Sequence, residues 1–111
     1  MNHEKLLVYR EVLQLAEELA KRVAKWPRGY GYLVDQARRA MASSLLTLAE
    51  GNGKRSSEKE RRRFFEISMG SIAEVASCVD LAHAFGLMGK REQELLKSRL
   101  RLAYVRIRAL P

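Results

Sequence analysis

Apolar residues along this chain recur at alternating three- and four-residue steps, the spacing of one face of a helix. Over residues 4–25, Leu6, Tyr9, Leu13, Ala16, Ala20 and Val23 form one row, and Val8, Val12, Leu15 and Leu19 form a second beside it. Two adjacent rows make a face wider than a small bundle needs for its own core. Trp26-Pro27 ends the pattern, because a residue ahead of proline is pushed out of helical dihedrals. A second helix is predicted over 32–50, with Leu33, Ala37, Ala40 and Ser44 in one row and Val34, Met41, Leu45 and Leu48 in the next. Its small residues, Ala37, Ala40, Ala42, Ser43 and Ser44, admit a close neighbour. Gly51 stands where a glycine closes a helix, and residues 51–55 read as a connection.

Ser57 followed three residues later by Glu60 is a capping-box pattern and opens a third helix that runs to Phe85. At 1.5 Å per residue that helix is roughly 40 Å long. Phe65, Met69, Ile72, Ala76 and Val79 form one of its rows; Phe64, Ser68, Ser71, Val75, Cys78, Ala82 and Phe85 form the other. Gly70, inside it, costs about 1 kcal/mol against alanine and reads as a place of close packing. Gly86-Leu87-Met88-Gly89 turns the chain into a fourth helix over 90–109, with Leu96, Leu100, Ala103, Ile107 and Leu110 as its core row. No strand pattern or internal repeat interrupts this. The expected fold is all-α: an antiparallel up-down-up-down four-helix bundle in one domain, residues 1–111.

Charge changes the picture more than composition does. The chain carries 21 Lys and Arg against 13 Asp and Glu, a net charge of +8, which favours an anionic partner. The excess is clustered in residues 54–63 and 90–111. Lys54, Arg55, Arg61, Arg62 and Arg63 make the first cluster. In the second, Lys97, Arg101 and Arg108 share a helical row with Tyr104, while Arg99 and Arg106 lie on the opposite flank. Arginines interleaved with an aromatic suit a phosphate backbone plus a stacked base. Arg61–Arg63 also stand at the helix end where the dipole disfavours cations, which points to function over helix stability. These eight basic residues are the candidate nucleic-acid contacts.

Enzyme chemistry finds little to use. Asp80-x-x-His83 is a lone helical pair without the second half a two-metal bundle needs. Cys78 lies on an apolar row as a small core residue. Ser43-Ser44 and Ser56-Ser57 have no nearby base, and Gly51-Asn52-Gly53-Lys54 lacks the spacing of a phosphate loop. No catalytic residue, metal or cofactor is expected. Gln36, Arg39, Glu50 and Glu74 read as structural polar residues, with Arg39 pairing Glu74 or Glu50 across the bundle, since a buried charge needs a partner. A single cysteine, no apolar run long enough to span a bilayer and no signal-peptide pattern in MNHEKLLVYREV make a cytoplasmic protein the expectation.

Three stretches carry a resemblance: LVDQARRA (33–40), AEGNGKRS (49–56) and E-x-x-R-F-F-E-I-S-M-G-S-I-A-E (60–74), with L-x-V-Y (6–9) and Trp26-Pro27 in keeping. Over most of its length the chain resembles the small four-helix-bundle proteins first noticed in intervening sequences of large-subunit ribosomal RNA genes. The resemblance implies an up-down-up-down bundle that assembles as a homopentamer. It also implies a relation to the accessory proteins of diversity-generating retroelements, in which a basic oligomeric barrel binds a reverse transcriptase and nucleic acid. Gln36, Arg39, Glu50, Gly51, Gly70, Ser71 and Glu74 match the family's fold-defining set. Leu48 stands where the family usually has asparagine, so a buried polar contact is expected to be missing. Together these readings predict a non-enzymatic, homo-oligomeric binder of RNA or DNA backbone, accessory to a reverse transcriptase if the retroelement relation holds. The alternative is an oligomeric scaffold with no nucleic-acid role.

Overall fold

The computed structural model describes residues 2–54 and 57–111 and contains four helices and, among the described residues, no strand. They are α1 (His3–Val23), α2 (Gly31–Gly53), α3 (Glu58–Ala84) and α4 (Lys90–Arg108), with a 3₁₀ turn at Arg28–Tyr30 between the first two. Asn2 caps α1, its Oδ1 accepting from the Lys5 N–H at 2.8 Å. Ser57 caps α3, its hydroxyl accepting from the Glu60 N–H at 3.1 Å. The Glu60 carboxylate turns to Arg63 instead of back to Ser57, so only half of the capping box forms. α3 ends in a Schellman turn: the Gly86 N–H donates to the His83 carbonyl and the Leu87 N–H to that of Ala82. Gly86 takes φ +78° there, a conformation that disfavours any residue with a Cβ.

The core is the set of rows that face inward from all four helices. Val12, Leu48, Phe65, Val79 and Ile107 are wholly buried. Leu48 is wholly buried and contributes apolar packing at its site. On α1 the second row, Val8 to Leu19, is buried; of the first row, Leu13 and Ala20 stay exposed, so the surplus width of that helix faces outward.

Polar contacts fix the register between helices. Between α2 and α3, Gln36 donates to Glu74, Ser71 donates to Ser43 Oγ at 2.8 Å, and Ser68 donates to the Ser44 carbonyl at 2.6 Å. Numbers rise along α2 as they fall along α3. Between α3 and α4, Arg62 reaches the carbonyls of Arg108 and Leu110, and Asp80 meets Gln93 and Lys97. Between α1 and α4, Glu11 pairs with Arg106, Glu18 with Arg99, and Arg22 with Glu92. At one end, the Tyr30 ring packs 5.8 Å from that of Phe85, joining the first turn to the end of α3.

Three sequence expectations are corrected. Arg39 pairs with neither Glu74 nor Glu50. Positions 36, 43 and 50 run along the edge of α2 that faces α3, and Arg39 lies one step outward, exposed; Gln36 takes Glu74, and Glu50 pairs with Lys54 at 3.5 Å. Gly51 does not close α2, which continues to Gly53. It is buried because α3 crosses there: a Cβ at Gly51 would lie 2.6 Å from Phe65 Cε1 and 2.7 Å from Cδ1. Gly70 marks no close approach: among the described residues nothing lies within 4 Å of its missing Cβ.

Candidate nucleic-acid interface

The cations of α4 are sorted by helical position. Glu92, Arg99 and Arg106 recur every seven residues and form the edge that faces α1. Each of these arginines is taken up by an α1 carboxylate, and Glu18 bridges Arg99 to Arg22. Partly exposed pairs of this kind contribute about 0–1 kcal/mol each, so their main effect is to spend those charges inside the chain. The opposite edge carries Lys90, Lys97, Arg101 and Arg108. Lys97 is shared with Asp80, at 2.9 Å. The Arg101 and Arg108 guanidiniums have no ion-pair partner among the described residues.

This second edge borders a groove of about 370 Å³ between α3 and α4. Ile72, Ala73 and Ala76 of α3 and Leu100 and Val105 of α4 form its apolar walls, and Tyr104 lies along it. Among the described residues, the charged ones that line it are Lys97, Arg101 and Arg108. An adjoining depression bounded by Lys90, Glu94, Ser98 and Arg101 extends the trough toward the start of α4. From Lys90 to Arg108 the cations span about 27 Å of helix. The groove exists because two alanines of α3 face α4 where larger side chains would have closed the gap. That Ala73-x-x-Ala76 spacing is the one sequence signal that could have revealed it.

Arg61–Arg63 divide differently. Arg61 donates from Nε to the Pro111 carbonyl at 3.1 Å and from Nη1 to the Lys54 carbonyl at 3.2 Å. Arg62 donates to the Arg108 carbonyl at 3.3 Å and to the Leu110 carbonyl at 2.6 Å, with its guanidinium 5.4 Å from the Phe65 ring centroid. Both therefore satisfy helix-end carbonyls, and Arg62 places a cation at the negative end of the α4 dipole. Arg63 stays 59% exposed, pairs with Glu60 and covers the Phe64 ring at 4.8 Å. Lys54 also lies over that aromatic, its Nζ 5.8 Å from the ring centroid, and pairs with Glu50. Arg55 lies outside the described residues. The candidate set thus falls into two places: Lys97, Arg101 and Arg108 line the groove, and Lys54, Arg61, Arg62 and Arg63 gather where α3 begins and α4 ends.

Removing Arg62 should be felt in the fold. Arg62→Ala is expected to cost about 1–2 kcal/mol, since it leaves two carbonyls without a charged donor. Arg63→Ala should stay within about 0.5 kcal/mol, as exposed pairs do. Urea denaturation of the two variants checks this; equal midpoints would refute the capping role.

Asp80, His83 and Cys78 are engaged in packing contacts. Hydrogen bonds from Lys97, then from Gln93, hold the Asp80 carboxyl below its ordinary value. His83 Nδ1 meets the Met88 carbonyl at 2.9 Å, so Asp80 and His83 serve different neighbours. Burial, and next the charge of Glu74, pushes the Cys78 thiol up and keeps it protonated at neutral pH. Among the described residues no group of three His, Cys, Asp or Glu could hold a metal ion, and no helix is long and apolar enough to cross a membrane.

The sequence profile of the 23S rRNA-intervening sequence protein family matches residues 4–107, which reach into all four helices. The chain belongs to this family. No curated protein matches it. In this member of the family Gln36, Arg39, Glu50 and Glu74 are all exposed; Gln36 and Glu74 meet across α2 and α3, while Glu50 pairs with Lys54 and Arg39 joins neither carboxylate. The groove residues occupy a different side, between α3 and α4.

Proposed function

We propose that this chain is a non-enzymatic, homo-oligomeric nucleic-acid-binding protein of the cytoplasm, built as an antiparallel up-down-up-down bundle. The opposed residue order in each interhelical contact set supports that topology, and the connections are short enough for it. The observation that carries the binding reading is the sorting of α4. Its α1-facing arginines are neutralised by carboxylates, whereas Arg101 and Arg108 have no ion-pair partner among the described residues and stand beside an apolar groove. Like charges held together without acids repel one another unless a polyanion joins them. Binding would be mostly electrostatic, with little sequence specificity.

Assembly follows from what stays uncovered. Exposed apolar residues collect on two opposite sides of the bundle. Tyr32, Leu46, Ile67, Leu81 and Phe85 lie along α2 and α3, and Leu7, Leu95 and Leu102 along α1 and α4; Leu46 is 65% exposed and Leu95 55%. Gly70, open on the first side, would let a neighbour's helix come close. Two unlike faces back to back suit a head-to-tail contact, which closes into a ring. A pentamer is the number we adopt. The groove side stays free in such a ring, so each copy adds its cations to one array.

Light scattering with and without a mixed-sequence RNA, at two salt concentrations, tests both halves. The expected result is a defined oligomer that shifts with RNA at low salt and loses the shift as salt rises. An oligomer indifferent to RNA at low salt would favour the scaffold reading. The head-to-tail contact has its own test. Leu46→Glu and Leu102→Glu should each give monomers alone, yet form a dimer when mixed, because each variant keeps the face the other has lost. A mixture that stays monomeric would refute that contact.

A further inference from the structure

We infer that the α3–α4 groove takes an unpaired nucleic-acid strand, with a base seated against its apolar floor and phosphates held by Arg101 and Arg108. This rests on the nucleic-acid reading above and narrows it to single strands. A duplex offers a protein surface phosphates, sugars and base edges, while the faces of its bases stay stacked inside. A site for duplex backbone therefore needs cations on a polar, solvated surface and gains nothing from an apolar trough. Here the trough is largely hydrocarbon: Ile72, Ala73, Ala76, Leu100 and Val105, with Val105 partly exposed. The faces of an unstacked base are apolar and match such a floor, and Tyr104 adds an aromatic surface to it.

Charge selects the occupant. Among the described residues every charged one lining the groove is a cation, so the apolar part of the ligand must be joined to anions. A nucleotide strand joins them at the right scale. Arg101 and Arg108 are seven residues apart on one edge, about 10 Å along the helix, which places one base site between two phosphate sites. At the far end, Arg62 is fixed by the Arg108 and Leu110 carbonyls and keeps that end of the trough positive. The groove volume of about 370 Å³ is ample for a planar base.

Fluorescence anisotropy with three probes separates the possibilities. The probes are a labelled 20-nucleotide mixed-sequence RNA, the same strand paired to its complement, and an abasic strand with the same number of phosphates. The intact single strand is expected to bind about tenfold tighter than either of the others, the effect of one stacked base. Tyr104→Leu keeps apolar contact with the core but removes the ring, and should cut binding of the intact strand about tenfold while leaving the abasic strand unchanged. Ala73→Met fills the groove from an exposed position and should do the same without touching the core. Equal binding of all three probes, or variants that ignore the bases, would overturn this inference and leave the electrostatic reading in place. Failure of every probe at low salt would overturn both and assign the groove to a protein partner.

Discussion

Gly51→Ala is expected to destabilise the chain by about 1–2 kcal/mol and to lower its thermal midpoint by roughly 5–10 °C. Two terms oppose each other. Alanine gains about 1 kcal/mol of helix propensity over glycine inside α2. Against this, its methyl would lie 2.6 Å from the Phe65 ring and 3.3 Å from the Arg61 carbonyl. Phe65 is wholly buried and cannot swing aside, and the Arg61 carbonyl belongs to the first turns of α3. The helices must separate, and because neither neighbour can yield, overpacking costs about 2–3 kcal/mol, the upper part of its usual range, before any propensity gain is recovered. Strain would spread to the start of α3, where Arg61 and Arg62 hold the end of α4. Gly70→Ala is the comparison: the same chemical change with nothing among the described residues within 4 Å, so only the propensity term applies and chain stability should rise by about 0.5–1 kcal/mol. Urea denaturation of both variants decides it, and a Gly51→Ala protein as stable as the parent would refute the close approach.

The same two glycines show what the sequence could tell. Helical periodicity placed four helices within a few residues of where they lie, because the apolar rows are long and uninterrupted. It could not tell a closing glycine from a crossing glycine. Gly51 is followed by Asn52-Gly53, which reads locally as a helix end, yet packing against Phe65 carries α2 through to Gly53. Arg61 and Arg62 were illegible for a related reason. Their partners are backbone carbonyls, two of them in residues 108 and 110, and carbonyls leave no mark in a sequence. The error over Arg39 was one of angle: one turn of α2 holds Gln36 and Arg39, and only contact with α3 shows which of them faces Glu74.

The α4 cations were legible in part. A row holding Lys97, Arg101, Tyr104 and Arg108, with Arg99 and Arg106 on the other flank, follows from 3.6-residue periodicity alone. That periodicity says nothing of where the acids of α1 lie. Glu11, Glu18 and Arg22, seven and then four residues apart on one side of α1, face α4 where they meet Arg106, Arg99 and Glu92. This match neutralises the α1-facing flank; on the other flank Asp80 holds Lys97 and Glu94 holds Lys90, and Arg101 and Arg108 have no ion pair among the described residues. The groove itself depends on a gap between two helices, which only their packing reveals.

Reversing the free flank should have the largest effect on binding. Arg101→Glu with Arg108→Glu changes four charges in each copy, next to the groove and away from the α1 pairs. RNA affinity at low salt is expected to fall at least roughly tenfold, and the slope of log affinity against log salt to shrink by about 1.4, the share of two phosphate contacts on a single strand. In a ring the loss is larger, because copies that bind together lose their contacts together. The fold should survive, since both side chains are exposed and neither guanidinium holds an ion pair among the described residues. The matched control is Arg28→Glu with Arg10→Glu, an equal change in net charge on exposed positions away from the groove. A general attraction between a chain of charge +8 and any polyanion would make the two double variants equally weak. A local site makes the groove variant far weaker than the control and flattens its salt slope alone. Equal losses would mean that the pairing of Arg99 and Arg106 with α1 is a matter of bundle packing only.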